Sequence, residues 1–123
     1  LLIEAARKGL CAPVNLTWEI TSACNLRCRH CLSDSGSAHA DEFSTVECLA
    51  LLDELSTCKV FQVNIGGGEP FIRPDFFRIL AHAERKGIVA CVSTNGTVLD
   101  HTEKHIINYQ LNQTLRLEDE NAR

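Results

Sequence analysis

At 123 residues, 45% hydrophobic and 23% charged, the chain has the composition of one globular domain rather than of a disordered segment. Its net charge of -4 goes with basic residues scattered along the sequence, which argues against the Lys/Arg stripe of a nucleic-acid binder. No apolar run approaches the ~20 residues that cross a bilayer, and Leu1 to Arg7 does not begin like a signal peptide, so a cytoplasmic protein is expected.

Val14 to Thr21 alternates strictly, with Val14, Leu16, Trp18 and Ile20 on one side and Asn15, Thr17, Glu19 and Thr21 on the other. That period predicts a strand with one apolar face. Ala23 to Ala40 shows neither strand nor helix period and is rich in serine, so it reads as a long loop. Ser44 and Glu47 form a capping box ahead of Val46, Leu49, Leu52 and Leu55, which predicts a helix to about Cys58.

Val60 to Ile65 is a second predicted strand, with Phe61, Val63 and Ile65 on one face, stopped by Gly66-Gly67-Gly68-Glu69-Pro70. Pro74 suits the first turn of a second helix, Asp75 complements its dipole, Phe76, Ile79, Leu80 and Ala83 form its apolar stripe, and Gly87 caps its end. Ile88 to Thr94 is a third strand closed by Asn95 and Gly96, and Asp100 starts a third helix through Ile107.

The order β-α-β-α-β-α makes the strands parallel, as in a doubly wound sheet or part of a (β/α) barrel. In a barrel, Glu19, Gln62, Asn64 and Ser93 would face the lumen, and Trp18, Phe61 and Val63 the helices. Three parallel strands leave an edge that a barrel normally covers, so folding in isolation is doubtful. There is no methionine, even at position 1, which suggests a trimmed N-terminus or a fragment.

The seven cysteines are odd in number and uneven, and three fall between Cys24 and Cys31, which favours a metal site over a disulfide scaffold. Cys24, Cys28 and Cys31 have the spacing CxxxCxxC in the loop after the first strand, where ligands gather in α/β folds. Three thiolates can bind three irons of a cubane cluster and leave the fourth open to a small molecule. A zinc site completed by His30 or His39 is the alternative, and ordinary buried thiols are a third reading. Cys11, Cys48, Cys58 and Cys91 are isolated and read as packing residues.

Cys24-Asn25-Leu26-Arg27-Cys28-Arg29-His30-Cys31, followed by Gly67-Gly68-Glu69-Pro70, resembles the radical SAM superfamily. The resemblance implies a [4Fe-4S] cluster on Cys24, Cys28 and Cys31 and S-adenosyl-L-methionine (SAM) bound at the open iron. Reduction of SAM would then give a 5′-deoxyadenosyl radical. By the same resemblance His30 contacts the adenine, Gly67, Gly68 and Glu69 meet the methionine amino group, and Ser93 and Asn95 look like a segment that helps form the SAM site.

A closer resemblance, from Pro13 to about Thr97, is to the mycofactocin radical SAM maturases. It rests on the run through Cys31-Leu32-Ser33, Val63 to Pro70, and Arg73-Pro74-Asp75-Phe76. It implies oxidative decarboxylation of the C-terminal tyrosine of a small precursor peptide, then carbon–carbon bond formation, with a peptide-binding partner protein. Residues 1–12 would be a lead-in, 13–107 an incomplete radical SAM core, and 108–123 a divergent polar tail. The family's later strands, remaining SAM contacts and cysteine-rich C-terminal domain have no counterpart here. The alternatives are another radical SAM peptide or cofactor maturase, and an inert metal-binding remnant.

Overall fold

The computed structural model describes residues 13–99. Strand β1 (Asn15–Thr21), helix α1 (Thr45–Thr57), strand β2 (Gln62–Gly67), a 3-10 turn (Pro70–Ile72), helix α2 (Phe76–Arg85) and strand β3 (Val89–Val92) follow in that order. The strands form one parallel sheet in the order β1-β2-β3. A sheet whose spatial order repeats its sequence order, with a helix in each crossover, carries both helices on one face. This is the singly wound arrangement of a partial (β/α) barrel.

One core confirms it. Ile20, Val63, Ile65 and Val92 from the sheet meet Cys48 and Leu52 of α1 and Phe76, Ile79 and Ala83 of α2 in a single cluster. Leu16 and Trp18 pack at its margin. The opposite face is polar: Glu19 is exposed, the Gln62 amide donates to Asn64 (2.9 Å), and the Asn64 amide donates to Asn15 (2.9 Å). Glu19, Gln62 and Asn64 thus share the free face and Trp18 and Val63 the helix face, as alternation dictates. Ser93 joins the free face, since a Cβ on Gly66 would lie 3.7 Å from its own. Phe61 lies ahead of β2, is 54% exposed and does not join the core that its parity predicts.

Both helices end alike. In α1 the N–H of Val60 reaches the Leu55 carbonyl and that of Lys59 the Ser56 carbonyl; in α2 Ile88 reaches Ala83 and Gly87 reaches Glu84. This is the Schellman pairing, which needs a left-handed residue. Gly87 provides it at φ 72°, and Lys59 adopts it at φ 62° despite its Cβ. At its start α1 has both bonds of the capping box.

Helix α2 starts differently from the sequence expectation. Pro74 lies ahead of it, and Asp75 occupies the N-cap position without a capping bond. The Asp75 carboxylate is instead held by Arg73 (2.8 and 3.0 Å) and the Thr45 hydroxyl (2.8 Å). β3 is shorter than expected because Ser93 and Thr94 leave the ladder, although the Ser93 N–H still reaches the Ile65 carbonyl. The third predicted helix, the lead-in and the polar tail lie outside the described residues. Among the described residues no helix is long and apolar enough to cross a membrane.

Candidate cluster and SAM site

The cysteines lie on a loop with a closed neck. Ala23 and Gly36 form an isolated parallel bridge: the Cys24 N–H donates to Gly36 O (3.1 Å) and the Gly36 N–H to Ser22 O (2.8 Å). The Arg27 side chain lies over Gly36, 3.1 Å from where a Cβ would stand. Compact loops with closed ends of this kind hold a shape without belonging to helix or sheet.

Beneath the neck sits Glu42, which sequence reasoning missed. Its carboxylate accepts from the Ser22 N–H (2.8 Å), the His39 N–H (3.0 Å) and the hydroxyls of Ser22 (3.0 Å) and Thr21 (3.0 Å). Burial alone would raise the Glu42 carboxyl, but these donors outweigh it and bring it from the ordinary 4.5 down to about 2. Arg73 stands 4.0 Å away and also donates to the carbonyls of Ile20 (2.9 Å) and Phe43 (3.1 Å). Nothing in the local pattern marks Glu42, because its partners come from the strand end and the loop.

A carboxyl whose pKa is depressed on folding adds stability above its unfolded value and loses it as pH falls through the folded one. Thermal midpoints are therefore expected to fall between pH about 4.5 and about 2, with Asp75, also brought down to about 2, titrating alongside. Glu42→Gln should lower the midpoint at pH 7 and flatten this acid limb. A Glu42→Gln profile parallel to that of the parent would contradict the assignment.

Cys24 is half-buried, and Cys28 and Cys31 are exposed; all three are free thiols. The exposure of Cys28 and Cys31 removes the reading of the three as packed core residues. The Ser35 N–H, with the hydroxyl and N–H of Ser33, brings the Cys31 thiol from 9.0 down to about 7. The thiolate, the form that binds metal, is thereby favoured there. His30 is exposed in the same loop. The Ser33 hydroxyl also donates to the Gly67 carbonyl (3.2 Å), tying the loop to the end of β2.

The glycines after β2 answer to close main-chain packing. The Gly68 N–H donates to Thr21 O (2.7 Å) and the Glu69 N–H to Ala23 O (2.8 Å), which locks the β2 exit against the loop's neck. A Cβ on Gly68 would overlap the Ala23 carbonyl, and one on Gly67, at φ 119°, the Thr21 carbonyl. Glu69 is 0% exposed. Its carboxylate accepts from the Asn95 N–H (2.7 Å), the Thr94 hydroxyl (2.8 Å) and the Phe71 N–H (3.0 Å).

At the end of β3, Ser93 and Asn95 are exposed on the same rim, while Thr94, which the sequence reading passed over, is buried against Glu69. The Asn95 amide donates to Asn25 (2.9 Å) and lies 3.8 Å from the Cys24 sulfur. The cysteine loop, residues 67–69 and residues 93–95 thus meet at the C-terminal rim of the sheet. Among the described residues no three His, Cys, Asp or Glu side chains converge on a single-ion site.

Known proteins resemble the chain in sequence and in fold. The Radical SAM superfamily profile matches residues 18–113. A mycofactocin maturase, MftC, of Mycobacterium tuberculosis (strain CDC 1551 / Oshkosh) is 52% identical over 95 residues, 77% of this chain and 24% of that protein. The Fe-coproporphyrin III synthase of Methanosarcina barkeri is 38% identical over 86 residues, 69% of this chain and 22% of its own length. The chain therefore spans about a quarter of the curated relatives it matches. In fold it resembles Streptococcus suis SuiB, in crystals with precursor peptide SuiA (TM-score 0.70, 20% identity, 86% of this chain and 24% of that one) and with S-adenosylmethionine (TM-score 0.69, 20% identity, 86% and 25%). With the superfamily's profile covering both helices, the cysteine loop and the sheet from Trp18 onward, the chain belongs to the radical SAM superfamily.

Proposed function

We propose that this chain supplies the cluster-holding and SAM-binding end of a radical SAM peptide maturase that acts on a mycofactocin-type precursor peptide. The observation that carries the proposal is the meeting of three free cysteines with the ends of β2 and β3 on one rim, in a chain 52% identical to mycofactocin maturases. Membership of the superfamily implies SAM and an iron–sulfur cluster, and the donor set suits a [4Fe-4S] cubane. Cys24, Cys28 and Cys31 are thiols spaced along one pinned loop, and a cubane takes each thiolate at a separate corner. A zinc ion would require four ligands about one point, each at ~2.0 to 2.3 Å.

When bound, the cluster supplies the electron that cleaves SAM to a 5′-deoxyadenosyl radical. The chain's own residues hold and orient. Cys31, with its lowered pKa, offers a thiolate near neutral pH. Exposed His30 is within the cysteine loop for the adenine, and Gly67 and Gly68, packed on the backbone of residues 21–23, hold the β2 exit beside the place where the methionine end of SAM would lie. Ser93 and Asn95 present polar groups on the same rim.

The substrate is the C-terminal Val-Tyr end of a small peptide, brought by a peptide-binding partner protein. The relatives named for haem chemistry favour a second reading, a cofactor maturase built on the same rim.

A radical must be shielded from water, and the three strands among the described residues would line SAM on one side. Dithionite-driven formation of 5′-deoxyadenosine is therefore expected to be far slower for this chain than for a form completed by family-like strands. The completed form should also decarboxylate a Val-Tyr-ended peptide. Equal turnover by the two forms would contradict the enclosure argument. A completed form that cleaves SAM but leaves the peptide intact would favour the cofactor reading.

A further inference from the structure

We infer that Glu69 is a positioning residue, which sets the cysteine loop through Asn95 from a fully buried place behind the rim. This goes beyond the proposed function, and rests on it only in taking the cysteines as the ligand loop. The connectivity comes from the chain's own bonds.

A fully buried carboxylate is costly unless donors surround it. Glu69 has three: the Phe71 N–H from its own 3-10 turn, and the Thr94 hydroxyl and Asn95 N–H from the end of β3. An ammonium would have to enter a site that is 0% exposed and already supplied with donors. Two of the three donors come from residues 94 and 95, so the carboxylate fixes the main chain there against the end of β2.

From Asn95 the restraint passes to the loop through a closed ring of side chains. The Asn95 amide donates to Asn25 Oδ1 (2.9 Å), and the Asn25 amide donates to Thr97 Oγ1 (2.8 Å). The Thr97 hydroxyl donates to Asn95 Oδ1 (2.7 Å), and the Thr97 N–H reaches the same oxygen (3.0 Å). Each amide thus has its orientation set by its neighbours, in a ring that closes at the surface of the rim. Asn25 directly follows Cys24, and the Asn95 Nδ2 lies 3.8 Å from the Cys24 sulfur. The position of Cys24 relative to β3 therefore depends on a carboxylate that never reaches the surface.

The chain carries its own reporters. In the metal-free protein, iodoacetamide labelling mapped by mass spectrometry reads Cys24 against Cys48, which is 0% exposed and labels only on unfolding, and against exposed Cys58. Glu69→Gln is expected to raise the Cys24 rate by about fivefold, the restraint of one hydrogen bond, with Cys48 silent and Cys58 unchanged. Asn25→Ala should do the same, and the double variant should add nothing further.

An unchanged Cys24 rate in a folded Glu69→Gln protein overturns the proposal, and so do additive effects in the double variant. If Glu69→Gln exposes Cys48, Thr94→Val takes its place in the cycle with Asn25→Ala. Non-additive Cys24 rates then support the proposal and additive rates overturn it. Because labelling uses neither cluster nor SAM, a response at Cys24 in a chain that takes up no iron would retain the positioning role and discard the cluster reading.

Discussion

Gly68→Ala is expected to cost roughly 3 to 5 kcal/mol of stability, far more than a surface glycine would. The added methyl has no room: the carbonyls of Ala23 and Ser22 occupy the space that its Cβ needs. Relief requires the β2 exit to move away from the loop's neck. The bonds from Gly68 N–H to Thr21 O and from Glu69 N–H to Ala23 O then lengthen together. Gly96→Ala is the control, since its Cβ would meet nothing within 4 Å and only the positive φ of 70° resists it. That change should cost about 1 to 2 kcal/mol. Urea denaturation of the two variants reads the difference, and similar midpoints would show that the neck and the β2 exit are not packed as described.

Arg73→Ala is expected to destabilise by about 2 to 3 kcal/mol, because it removes the shared donor of a partly buried charge cluster. The Arg73 side chain is 11% exposed and serves five groups: Asp75, the carbonyls of Ile20 and Phe43, the Cys48 sulfur, and Glu42 at longer range. Its loss leaves two carboxylates facing each other's field beneath the cysteine loop. Arg73→Lys should recover only part of the stability, because an ammonium cannot fork between the Asp75 carboxylate and two carbonyls. Chemical denaturation at pH 7 gives the size of both effects. Full recovery by lysine would mean that charge alone, without the fork, holds this corner.

What could be read directly from the residues was whatever depends on near neighbours. Ser44 and Glu47 are three apart, and their capping box stands as its spacing predicts. The alternation from Leu16 to Ile20 placed the apolar face of β1, and Gly87 adopts the left-handed turn expected at a helix end. The cysteine spacing put all three thiols on one loop after β1.

Groups whose partners lie far along the chain escaped. Asp75 reads as a helix-dipole residue until Thr45 and Arg73 claim its oxygens. Glu42 has no local signature, and Thr94 looks like a strand residue until Glu69 is found behind it. By resemblance glycines 67 and 68 meet the methionine amino group, and only the fold shows that they also pack on the backbone of residues 21–23.

The central claim, that Cys24, Cys28 and Cys31 hold an iron–sulfur cluster, is tested most directly by anaerobic reconstitution with iron and sulfide. The account predicts a brown protein with about four irons and four sulfides per chain, as a cubane requires, absorbing in the visible charge-transfer region, and loss of that colour in Cys28→Ala. Tight uptake of a single zinc with no incorporation of sulfide would contradict it.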